Sequence, residues 1–209
     1  MIREPFNALS HFLGVLLGIA GLVYLVIQAD GALETVAFTV YGVALILLYL
    51  SSTLYHALPV GPKTLQVLRR LDHSAIYLFI AGTYTPVCLV ALSPGWGWSI
   101  FAVVWSLALT GVVVRNLAWK MPRWVYTALY LALGWVAIVG VKPLVDTFPW
   151  HGLALLVLGG LAYTVGAVIY ATEWPDILPD HVGHHGIWHL SVLSGTGFHY
   201  AFIAAYVAG

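Results

Sequence analysis

Charge is what this chain of 209 residues has little of. Charged side chains make up 8% and hydrophobic ones 61%, whereas a soluble domain carries about a quarter charged residues. With a mean hydropathy of +0.94, a water-soluble domain is excluded and the chain is built for a bilayer. Eight basic and eight acidic side chains leave no net charge, so the electrostatic footprint of a nucleic-acid binder is missing and no polyanion partner is expected. Cysteine is scarcer still. Cys88 alone allows no intramolecular disulfide and no cysteine-based zinc cluster, and it reads as a small buried apolar residue. No small-residue cleavage site followed by soluble sequence comes after Met1-Ile2-Arg3-Glu4-Pro5, so the first apolar stretch reads as a span and not as a removable signal peptide.

What is present is a series of apolar windows bounded by charges, prolines and glycines. They predict spans near residues 9–28, 34–57, 72–92, 97–115, 124–141, 151–171 and 187–207. The expected fold is all-α: one seven-span membrane domain covering 1–209, with short connections. Arg3, Lys63, Arg69, Arg70, Arg115, Lys120 and Arg123 all fall on one side of such a bundle and only Lys142 on the other. The positive-inside rule then places the N-terminus in the cytoplasm and Gly209 outside. The sixth connection, with Glu173, Asp176 and Asp180, is cytoplasmic by parity. Trp96, Trp98, Trp119, Trp124 and Trp150 stand at span ends, as an interfacial belt does.

Nine histidines are out of proportion in so apolar a chain, because an ionisable group inside a span costs several kcal/mol without a partner. His56 ends span two, Asp72 opens span three, and His185 and His189 open span seven, which brings these groups to one depth at the cytoplasmic face. His185 and His189 are four apart, so they share a helix face and suit one metal ion. With His56 they form a three-nitrogen set that leaves a fourth position in tetrahedral zinc, and neutral imidazole suits zinc where thiolate is absent. The competing reading is a group of interfacial or helix-capping histidines bonded to water and backbone.

Several blocks match a known pattern. Ser51-Ser52-Thr53-Leu54-Tyr55-His56, Leu71-Asp72-His73-Ser74 and Gly183-His184-His185-Gly186-Ile187-Trp188-His189 resemble the three signature blocks of the hemolysin III family, the bacterial branch of the progestin and adipoQ receptor (PAQR) superfamily. Asn7-Ala8-Leu9-Ser10-His11 and Ser194-Gly195-Thr196-Gly197-Phe198-His199 are similar to that family too, so the resemblance covers essentially the whole chain. It implies a multi-pass protein of a bacterial inner or plasma membrane, with zinc held by His56, His185 and His189. It also implies that Asp72 holds a zinc-bound water and that Ser52 lies close by. Gly186 departs from the pattern, since bacterial relatives often carry an acidic or amide side chain there. The glycine should cost helix stability and remove a polar group near the metal.

The remaining histidines have plainer readings. His184 points about 100° away from His185 and should face the cytoplasm or support a ligand from outside, not bind the metal, and His181 would compete only if the last helix began earlier, which Gly183 and Asp180 oppose. His73 should be solvated, and His151 interfacial. His11, early in span one, could reach the same cavity as the metal. His199 lies fourteen residues beyond His185, about 21 Å along a helix, so it cannot share that metal and should hydrogen-bond another span. Gly14 with Gly18, and Gly159, Gly160 and Gly166, mark close helix packing. Pro86 should kink span three by freeing the carbonyl of Gly82, with Thr83, Tyr84 or Thr85 to satisfy it.

The leading function is a zinc-dependent hydrolase acting on the amide or ester of a membrane lipid, with Asp72 orienting or deprotonating water. The resemblance adds ceramidase-like chemistry in related members and a role in membrane homeostasis. The alternative is a receptor-like or lipid-sensing protein in which zinc clamps spans two and seven, as a closed four-ligand site would. A two-haem carrier needs the fourteen-residue histidine spacing on a second span, and none repeats it. A retinal protein needs a lysine inside a span, whereas Lys63, Lys120 and Lys142 lie at or beyond span ends. A transporter would be suggested by an inverted repeat, and none is evident.

Overall fold

The computed structural model describes residues 2–117, 120–179 and 181–208, and its elements are helices throughout. They are α1 (Pro5–Gln28), α2 (Ala32–Ala57), α3 (Pro62–Pro86), α4 (Pro94–Leu117), α5 (Arg123–Gly134), α6 (Val141–Thr147), α7 (Trp150–Thr172) and α8 (Gly183–Tyr206). A π-helical turn, Val87–Ala91, extends α3, and a 3-10 turn, Trp135–Ile138, follows α5. Proline opens α1, α3 and α4, where its missing N–H has no intrahelical partner to lose. α2 stops at Ala57 because Leu58 precedes Pro59 and is held extended. Gly31 joins α1 to α2 with φ +130, a conformation open to glycine and strained for other residues.

Contacts between α1 and α2, α2 and α3, α3 and α5, α5 and α7, α7 and α8, and α8 and α1 close a ring, with α4 outside it against α3, α5 and the π-helical turn. Leu25, Phe38, Tyr41, Val104, Phe202 and Ile203 are fully buried in the bundle. Its outer surface carries many large apolar side chains: Leu17 is 60% exposed, Ile27 74% and Val139 70%, which suits a face turned to lipid. Small residues let the helices approach. A Cβ on Gly14 would lie 2.6 Å from the Tyr49 ring, and one on Gly159 would lie 2.2 Å from His199.

Among the described residues, five helical segments are long and apolar enough to cross a membrane, and six when the bent α5–α6 pair counts as one. The seventh expected span coincides with α8, which has 24 residues but a heavy load of histidine, serine and threonine. Three further expectations change. The third helix starts at Pro62, ten residues before its predicted start, so Asp72 lies in a helix interior and the basic segment before it is helical. The fifth span is no single rod: it breaks after Gly134 and bends by 53° into α6. The Tyr84 hydroxyl holds that break, donating to Gly134 O at 2.6 Å and accepting from Ala137 N at 2.9 Å, so a side chain on α3 satisfies backbone that lipid cannot. Pro86 leads into the π-helical turn. Thr83 and Thr85 donate to Phe79 O and Ala81 O, not to the carbonyl of Gly82. Trp119, Asp180 and Gly209, read above as belt residue, helix-start marker and external terminus, lie outside the described residues; Trp96, Trp98, Trp124 and Trp150 are exposed.

Candidate metal centre

Ser52 and His56 are four apart in the last turns of α2, so both face inward, and both are buried. α8 delivers His185 and His189 from its first two turns. One ring nitrogen of each of His56, His185 and His189 lies within 4.8 Å of the others. The ring centroids are 4.9 Å apart for His56–His185, 4.8 Å for His56–His189 and 4.9 Å for His185–His189. Asp72, from α3, is buried beside them within hydrogen-bonding reach of Ser52, and it is not in the three-residue set. The structure therefore brings together all five residues singled out from the sequence.

The outer partners of the histidines were not foreseen. Residues 3 and 4 are strapped to the end of α2: Arg3 N donates to Ala57 O at 3.3 Å and Glu4 N to His56 O at 3.0 Å. The strap sets Glu4 Oε2 at 2.6 Å from His56 Nδ1. On α8, His189 Nδ1 donates to Asn7 O at 3.2 Å. In both rings Nδ1 is thereby occupied and Nε2 left for a ligand, the usual tuning of a metal-binding histidine by a carboxylate or carbonyl. His56 Nε2 is buried with no hydrogen-bond partner among the described residues. The group thus fits a metal ion: three converging imidazoles, no thiolate, and an orphaned nitrogen at their centre. Partial burial works to raise the Glu4 carboxyl. The hydrogen bonds from His56 and Asn7 and the charge on Arg3 outweigh it and hold the group at about 2. One signal could have found this partner, since Glu4, Asn7 and His11 follow the three-and-four spacing of a single helix face.

Other histidines divide. His184 is anchored away from the centre, its backbone N–H donating to Asp176 Oδ1 at 2.7 Å with its ring beside the same carboxylate. His181 lies in the turn before α8. His199 donates from Nε2 to Leu156 O at 3.1 Å, on a neighbouring helix as expected. His73 is not solvated: it is buried, and its Nδ1 accepts from Arg115 at 2.6 Å. Arg115, counted above among the basic residues of one side, is buried in the last turn of α4 with its guanidinium 4.5 Å over the Tyr126 ring. Rotation about α3 does turn His73 away from Asp72, but α4 and α5 cover that side. Gly186 is likewise occupied by packing. A Cβ there would meet Val182 and Phe6 at 2.8 and 2.9 Å, so the glycine lets α1 close over α8.

Two spaces meet at His185. One is a cavity of about 390 Å³ running through the bundle, lined with apolar side chains from Ile76 to Phe202 and carrying His11, Ser52, Asp72 and His189 at one end. The other is a vestibule of about 320 Å³ lined by Arg3, Glu4, Asp176 and His184.

The profile described as haemolysin-III related matches residues 1–200. The chain belongs to that family. Hemolysin-3 of Bacillus cereus is 42% identical over 208 residues, covering 98% of this chain and 92% of that protein. The Hemolysin-3 homolog of Bacillus subtilis strain 168 is 44% identical over 197 residues, covering 93% and 89%. A more distant relative is the human Monocyte to macrophage differentiation factor, 28% identical over 209 residues and covering 96% and 83%. Family membership and the apolar helices together make this chain a membrane protein.

Proposed function

We propose that this haemolysin-III family member is a zinc-dependent hydrolase that cuts an amide or ester bond of a membrane lipid, serving membrane homeostasis in a bacterial cell membrane. The observation that carries the reading is the three-histidine cluster at one end of a long apolar cavity, with Asp72 and Ser52 beside it. The cavity suits an acyl chain, and the vestibule at His185 gives water and a polar leaving group a separate approach. His56, His185 and His189 hold the ion, with Glu4 and Asn7 orienting two of the rings. When bound, zinc supplies Lewis-acid polarisation of the carbonyl and acidifies water. Asp72 stands outside the nitrogen set, which supports a carboxylate that accepts the proton of attacking water and returns it to the departing amine or alcohol. Ser52 orients that carboxylate.

In this reading α8 and the bent α5–α6 pair complete seven spans. α8 is about 36 Å long at 1.5 Å per residue, and three of its histidines, His185, His189 and His199, turn inward to the centre and cavity. The histidine end faces the cytoplasm, where seven of eight basic residues fall.

Purified protein should carry about one zinc ion per chain, as three imidazoles with an open position require, and should release fatty acid from an N-acyl or O-acyl lipid. Replacing His56, His185 or His189 by alanine should abolish both. Unchanged zinc in His185→Ala and His189→Ala overturns the metal centre. Bound zinc without lipid turnover in the unmodified protein removes the hydrolase and leaves a clamp.

A further inference from the structure

His11 is a buried polar residue that the metal centre does not account for. It lies about two turns into α1, 3% exposed, on the wall of the apolar cavity. Its ring is stacked on His189 with centroids 3.6 Å apart and planes 11° from parallel, and Tyr49 closes its edge at 5.0 Å. Neither Nδ1 nor Nε2 has a hydrogen-bond partner among the described residues.

The other buried histidines make the contrast. His56 has Glu4, His73 has Arg115 and His189 has the Asn7 carbonyl. A neutral imidazole carries one donor and one acceptor, and burying either unmade is costly. The stack fixes the ring plane, and although the His189 backbone lies close to the ring, no hydrogen bond of normal geometry forms to either nitrogen among the described residues, so packing alone does not explain a histidine here. Nor is His11 in the set of nitrogens that converge on the metal centre. It stands beside that centre, at the polar end of a space otherwise shaped for hydrocarbon.

We propose that His11 hydrogen-bonds the carbonyl group of an acyl compound whose chain fills the cavity, and so positions that carbonyl against the three histidines. The inference rests on the lipid reading above but concerns binding, which does not require hydrolysis. A ring N–H donates to the carbonyl oxygen of an amide or of a carboxylic acid, so the two sources share the contact and are separated by the probes used.

The test uses the full chain in detergent with zinc bound. Binding is read from the fluorescence of cis-parinaric acid and from its displacement by oleamide and by oleic acid. His11→Phe keeps the ring stack and removes both nitrogens, whereas His11→Gln restores one donor and one acceptor. His11→Phe should bind at least one probe about tenfold more weakly, the weight of a single neutral hydrogen bond, with zinc content unchanged, and His11→Gln should recover part of the loss. A weaker oleamide arm with oleic acid unaffected identifies the amide as the group read, and the reverse identifies the acid. Equal affinity of His11→Phe for every probe overturns the proposal. So does zinc loss as complete as in His189→Ala, which would make His11 part of the metal centre. If His11→Phe does not fold, the ¹⁵N resonances of His11 in the unmodified protein must shift on adding oleamide or oleic acid, and their constancy overturns it. An unmodified protein that binds the probes yet hydrolyses no lipid removes the hydrolase and leaves this inference standing.

Discussion

The carboxylate of Glu4, 2.6 Å from His56 Nδ1, fixes which imidazole nitrogen faces the cluster and which way the ring is turned. Glu4→Ala is therefore expected to weaken zinc binding by about 10- to 100-fold, read by competition with a chelator, with Glu4→Gln affected less because its amide oxygen still accepts from Nδ1–H. Equal affinity in Glu4→Ala would mean that the strap holds the ring without the carboxylate. Asp72 separates an open site from a closed one. Asp72→Asn should retain zinc, since three imidazoles remain, and should lose at least ~10²-fold of lipid hydrolysis, the usual scale of a lost general base. Zinc loss equal to that of the histidine variants would make Asp72 a ligand and favour the clamp.

Among the elements, the π-helical turn and the start of α4 are the tightest fit. A Cβ on Gly97 would stand 2.0 Å from the backbone oxygen of Cys88, whereas one on Gly95, in the same turn of α4, would meet nothing within 4 Å. Backbone cannot step aside as a side-chain tip can. Gly97→Ala is accordingly expected to destabilise the detergent-solubilised protein by ~2 kcal/mol or more, as overpacking does. Gly95→Ala should be neutral or gain up to ~1 kcal/mol from helix propensity. Thermal unfolding of the two proteins side by side checks this, and a similar midpoint for both would show that α4 is free to shift. The α5–α6 break belongs to the same scale. Gly134, Gly140 and Pro143 allow a bend, but the Tyr84 hydroxyl on α3 fills the hydrogen-bonding needs the bend opens.

The whole molecule is a ring of helices around a cavity that runs lengthwise, polar at one end. On the proposed topology of seven spans with the histidine end in the cytoplasm, a reporter fused after Gly209 should be active only in its exported form. A second reporter, inserted at Pro59–Gly61, should be active only in its cytoplasmic form. Cytoplasmic activity at Gly209 would mean that α8 does not cross the membrane or that the orientation is reversed. α8 is where composition and position diverge, because three of the histidines that lower its apolarity, His185, His189 and His199, line the cavity.

Apolar windows and turn residues by themselves determined that this is an all-helical membrane chain, and polar groups in so apolar a setting marked His56, Asp72, His185 and His189, because such groups are costly in a bilayer unless they have a purpose. Spacing of four residues settled which pairs share a face. Only the tertiary structure decided what covers each face. His73 looked solvated from its own helix and is buried because Arg115 arrives from α4. Gly186 looked like a defect and is the space that Phe6 fills. Glu4 looked like an ordinary charge ahead of a span and becomes the partner of His56 through a strap 52 residues away in sequence. The cavity is likewise a property of the closed ring and of no single helix. Periodicity along one element records which residues lie together on it, and contacts between elements depend on where the others pack, which a local pattern does not contain.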